Sequence, residues 1–131
     1  WDSYAHEGTP NSWGIYAQRY NAAGVAQGGE FKINTYTTND QNTPNVVMTT
    51  AGDMLVTWQS ASQDGSGYGI YAQRYSHAGT PLGSEFRVNT YTTNNQAKPS
   101  IAMAMPCSGR SPAGGVIALP RLAPDGARAR P

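Results

Sequence analysis

Residues 14–49 read GIYAQRYNAAGVAQGGEFKINTYTTNDQNTPNVVMT, and residues 69–104 read GIYAQRYSHAGTPLGSEFRVNTYTTNNQAKPSIAMA. Tyr16 and Tyr71 set the offset (71 − 16 = 55); no gap is needed, and 21 of the 36 aligned positions are identical. Chance does not produce that match, so the period governs every later inference about fold. Residues 1–13, WDSYAHEGTPNSW, align with residues 58–68, WQSASQDGSGY, if two residues are inserted. Trp1 therefore falls where the first copy's second strand ends, and the chain is expected to begin partway through a repeat unit.

Each period divides into short alternating runs. GIYAQRY puts Ile15, Ala17 and Arg19 on one face and Tyr16, Gln18 and Tyr20 on the other, a strand pattern with aromatic enrichment. EFKIN turns Phe31 and Ile33 inward, leaving Glu30 and Lys32 outward; Ile70 and Val88 are the matching inward positions of the second copy. TYTTNDQNTP reads as a loop, with side chains that cap their own backbone and a Pro that cannot donate. NVVMTT at 45–50 is a short apolar strand, Ala51-Gly52-Asp53 a tight turn, and MLVTWQS at 54–60 a strand with Met54, Val56 and Trp58 on one face. No segment shows a capped helical period. Four antiparallel strands in 55 residues, repeated with Gly-rich turns, predict an all-β protein built of β-propeller blades, with a stacked β-solenoid as the rival.

Composition narrows the class. Leu, Ile, Val and Phe number only 17 of 131 residues, but eight Tyr and three Trp supply a core of rings, and the net charge of +1 is far from that of a disordered chain. That balance also gives no electrostatic case for binding nucleic acid or an acidic membrane. Cys107 is the single cysteine, which leaves no disulfide framework or thiolate zinc cluster within one chain. No apolar run approaches the ~18 residues of a membrane span, and no signal-peptide pattern is present. The start at Trp1 without Met is expected of a processed or trimmed product.

The pattern VNTYTT-N-Q-x-x-P, a Gly-Asp turn, V-x-W-Q-S and then QDGSGYGIYAQRY resembles repeats of large secreted or cell-surface bacterial proteins. Those repeats look like β-propeller blades of a type loosely similar to FG-GAP. The resemblance covers roughly residues 1–104 and implies blade architecture and an extracellular or surface setting. It brings no settled catalytic motif. Residues 106–131 depart from it, with five Pro, four Arg and no Trp, Tyr, Asn, Thr or Gln. That is the composition GC-rich DNA gives in a shifted frame, yet AGGVIALPRLAPDG echoes AGDMLVTWQSASQDG. Either Gly115 to Leu119 serves as a substitute strand or the tail is disordered.

Residues 1–105 thus hold two blades, one of them split between the ends of the chain. Two blades cannot close a propeller, and the expected remedy is a head-to-tail homo-oligomer in which one chain completes the next. Three chains give six blades and four give eight; the trimer is favoured.

Candidate chemistry gathers on one rim. The link between second and third strands holds His6, Glu7 and Asp64. The link from fourth to first strand holds Asn39, Asp40, Gln41, Asn94, Asn95 and Gln96, and feeds the innermost strand near the ring axis. Asn39, Gln41, Asp64, Asn94, Asn95 and Gln96 are candidate ligand contacts, suited with exposed rings to a glycan or another small molecule. Asp40 is the candidate metal ligand, since a ring would repeat its oxygens around a divalent cation such as calcium. In the alternative function, a metal-dependent ester or phosphoester hydrolase, His6 and Glu7 act as general base or extra ligands. Ordinary turn chemistry competes with each assignment. His77 reads as an exposed loop residue, and Met48, Met103 and Met105 as core filler. No nucleophile elbow, HExxH or phosphate-binding loop occurs.

Overall fold

A computed structural model of the chain describes residues 1–6 and 11–103. Glu7 and the tail from 106 to 131 lie outside the described residues, as does Met105. The fold is all-β, with no helix among the described residues. Among these residues seven strands form two antiparallel sheets: β1 (Asp2–Tyr4), β2 (Trp13–Ala17) and β3 (Phe31–Lys32) in one, β4 (Gln41–Met48), β5 (Met54–Ala61), β6 (Tyr68–Tyr75) and β7 (Phe86–Arg87) in the other. Each sheet takes its strands in chain order.

The two sheets are copies in register as well as in sequence. Asp2 faces Ile15 and Ser3 faces Gly14 in the first; Gln59 faces Ile70 and Ser60 faces Gly69 in the second. Tyr16 pairs with Lys32 as Tyr71 pairs with Arg87. Even the isolated bridge Tyr20–Ala26 recurs as Tyr75–Pro81.

The strand before the loop is shorter than the apolar pattern predicts, and a side chain is the reason. Ile33 N–H still donates to Ile15 C=O at 2.8 Å. The next ladder position belongs to the Asn34 side chain, whose Oδ1 accepts Ile15 N–H at 2.7 Å. A buried asparagine that replaces a backbone partner satisfies the amide and ends the strand.

The loop is shorter too, because β4 starts at Gln41 rather than Asn45. Pro44 lies inside it, where the β4–β5 register shifts between Asn42 and Asn45 and Thr43 takes φ 56°. A bulge on an edge strand is where a missing N–H costs least. The 49–53 turn closes with Gly52 at φ 90°, its N–H donating to Thr49 C=O at 2.9 Å. A side chain there would be strained and would press on His77 Cβ at 3.1 Å.

The core lies between the sheets. Ile15 and Ile33 of the first sheet pack on Val56, Trp58, Tyr71 and Tyr75 of the second, with Ala17, Phe31 and Met54 at the margin. Trp58 is wholly buried, and a ring of that size dominates so small a core. Ile70 and Val88, the matching positions of the second copy, are only half-buried. Among the described residues, no sheet lies against their face of the second sheet. Met48 is 57% exposed, which corrects its expected place as core filler: it pairs with Met54 on the edge strand, at the margin of the face that packs on the first sheet.

Candidate functional site

The polar residues of the rim are held first by their own loop. Asn34 Nδ2 donates to Tyr36 C=O at 2.7 Å and to Gln41 Oε1 at 3.2 Å, and Gln41 Nε2 donates to the carbonyls of Thr38 and Asn39 at 3.0 and 3.1 Å. The second copy repeats this clasp with Asn89, Tyr91, Gln96, Thr93 and Asn94. Gln41 is fully buried, and a buried amide must be bonded on both sides. Asn39 and Asn94 hold the left-handed φ values of 59° and 63° that asparagine tolerates.

Asp40 and Asn95 do one job. Asp40 Oδ1 accepts Trp13 N–H at 3.2 Å, and Asn95 Oδ1 accepts Tyr68 N–H at 3.1 Å. Each fastens its loop to the first residue of an earlier strand of the same repeat, β2 at Trp13 and β6 at Tyr68. Asn94 N–H reaches Ser66 Oγ at 3.1 Å, which brings this loop against the 62–67 turn. Asp64 stands in that turn; its Oδ1 accepts Ser66 N–H at 3.3 Å, while its buried Oδ2 has no hydrogen-bond partner among the described residues. Burial of Tyr71 raises its phenol pKa above the ordinary value, and the Asp64 charge adds to that.

His6 packs on the first sheet. Its ring stacks on Tyr16 with centroids 4.4 Å apart, and its Nδ1 stands 3.4 Å from Glu30 Oε1. His77 is exposed, its backbone N–H bonded to Asp53 Oδ1 at 2.8 Å. Among the described residues, no three His, Cys, Asp or Glu side chains come together as a metal site.

Two further features had no place in the sequence argument. Tyr4 and Trp13 form a tilted pair with centroids 5.3 Å apart, 51% and 37% exposed, and Tyr4 OH donates to Asn11 Oδ1 at 2.9 Å. The second copy has Ala61 and Tyr68 at these positions, so the asymmetry itself was the signal. Alongside β2 and β4 runs an apolar cleft of about 380 Å³, lined by Trp1, Tyr16, Gln18, Val46, Met48 and Met54 among others.

The seam between the sheets carries specific polar contacts that sequence reasoning also missed. Tyr75 OH donates to Ile33 C=O at 3.1 Å. Glu85 Oε2 accepts from Thr35 N–H at 2.8 Å and from Thr35 Oγ1 at 3.0 Å. Arg19 donates to the Ala78 carbonyl. Identity between the copies at Arg19/Arg74, Tyr20/Tyr75, Glu30/Glu85 and Thr35/Thr90 was the available clue. No family model, curated protein or solved structure matches the chain.

Proposed function

We propose that the chain is a self-assembling β-propeller module, its two sheets acting as blades, and that its rim binds a glycan. One observation carries the assembly: the contact between the sheets joins two different surfaces of the same repeat. The first sheet offers the face of Ile15 and Ile33, and the second receives it on the opposite face, that of Trp58, Tyr71 and Tyr75. A contact between unlike surfaces is head-to-tail, and repeats joined that way close into a ring when the rotation fits. Three chains give six blades; four would give eight. Light scattering is expected to find three times the 14.0 kDa of one chain. A stable monomer at every concentration overturns the assembly.

For the ligand, the Tyr4–Trp13 pair is the best supported platform. Exposed rings take the apolar face of a sugar, and amide and carboxylate groups such as Asn11 and Asp40 take its hydroxyls. Titration of neutral oligosaccharides against tryptophan fluorescence tests this, with Trp13→Ala expected to abolish the response. A panel that gives no saturable change leaves the module purely structural.

A further inference from the structure

The chain specifies its own intermolecular junction, an inference that rests on the assembly proposed above. Four contacts close the seam within one chain: Phe31 edge-on to Tyr75 at 5.6 Å, Tyr75 OH to Ile33 C=O, Thr35 to Glu85, and Arg19 to the Ala78 carbonyl. Shifting each participant by one period finds the same chemistry again. Phe31, Ile33, Thr35 and Arg19 of the first sheet become Phe86, Val88, Thr90 and Arg74; Tyr75, Glu85 and Ala78 become Tyr20, Glu30 and Ala23.

Within one chain these counterparts are open. Tyr75 is 3% exposed but Tyr20 is 63% exposed, and Phe86 is 44% exposed. Arg74, Thr90, Glu30 and Ala23 are all exposed. The receiving carboxylate is even oriented alike in both copies. Gln63 Nε2 holds Glu85 Oε1 at 2.6 Å, leaving Oε2 for Thr35. His6, at Gln63's position five residues after the tryptophan, stands by Glu30 Oε1 at 3.4 Å.

We propose that the face of Phe86, Val88, Thr90 and Arg74 in one copy docks on the face of Tyr20, Glu30 and Ala23 in a second copy. Phe86 then meets the partner's Tyr20, whose hydroxyl donates to Val88 C=O. Thr90 donates to the partner's Glu30, and Arg74 to the partner's Ala23 carbonyl. The surfaces complement each other in shape, apolarity and hydrogen bonding because their equivalents already do so inside each chain. Two like surfaces of this kind do not match, so the occupant is the opposite face of another copy rather than a symmetric dimer.

The test uses two variants of the full chain, Phe86→Glu and Tyr20→Glu. Each blocks one half of the junction at an exposed position, and circular dichroism should match wild type. Alone, each is expected to lose the ring and scatter as one chain. Mixed in equal amounts, they should form a dimer, because one intact half remains on each. As an independent pair, Thr90→Glu should break the ring by facing Glu30, and adding Glu30→Lys to it should restore the wild-type mass. If wild type assembles while the single variants keep its mass, or the mixture stays monomeric, the junction is wrong although assembly stands. A monomeric wild type overturns both.

Discussion

Tyr75 joins the two sheets at a single side chain: its ring lies against Phe31 and its hydroxyl reaches Ile33 C=O. Burial, with the Glu85 charge in second place, pushes its pKa from 10.0 up to about 12. The neutral phenol is thus the form that folding favours. Its contribution is fully present below pH 10 and is lost as pH rises toward 12, for two pKa units or roughly 2–3 kcal/mol. Tyr75→Phe is expected to cost about 1 kcal/mol at neutral pH through the lost hydrogen bond. It should also flatten the alkaline limb of stability between those values, as urea denaturation at stepped pH would read. A variant with the wild-type alkaline limb would place the sensitivity in another group. At the rim, Asp40→Asn should change stability by no more than about 0.5 kcal/mol, because Asn95 already performs the same bond with an amide oxygen. A larger loss, or calcium binding by wild type that the variant lacks, would show that the carboxylate charge has work of its own, as the metal-dependent hydrolase alternative requires.

At the scale of elements, equal sequence does not mean equal burial. Ile15 is fully buried and its counterpart Ile70 is only half-buried, so the same substitution should act differently in each. Ile15→Lys places an unpaired charge in the core and should unfold the stack, at a cost of several kcal/mol. Ile70→Lys should leave the single chain folded and act on assembly alone. Circular dichroism together with solution mass separates the two, and unfolding by Ile70→Lys would mean that its face is covered within the chain. This outcome also marks what the sequence made legible. Strand order, the turn at Gly52 and the alternation of GIYAQRY follow from local pattern, and so they could be read. Which face of each sheet is covered depends on the neighbour that packs there, and a repeat reads alike whether its neighbour is present or not. The early start of β4 was hidden for a different reason, since Pro44 argues against a strand unless the bulge beside it is known. Gln41 and Gln96 read as candidate ligand contacts because amides on a rim look the same in sequence whether they bind a ligand or clasp a loop.

Over the whole molecule, stability should depend on how much protein is present. The exposed rings Trp1, Tyr20 and Phe86 lie on surfaces that match the buried seam. Covering them would add a second seam like the one that holds the two sheets together, and only the assembled state can have it. Folding is then linked to association by mass action. A tenfold rise in concentration should stabilise each chain by about 1 kcal/mol, the mass-action effect less the share set by ring stoichiometry. For a chain of this size that corresponds to a rise in melting temperature of roughly 3–5 °C. Differential scanning calorimetry across two decades of concentration would read it, and Phe86→Glu should remove the dependence while retaining a melting transition. A wild-type Tm independent of concentration, with an assembled mass throughout, would mean that the ring does not dissociate when its chains unfold. The same flat profile with a monomeric mass would mean that the first sheet's seam with the second is all the packing this chain needs.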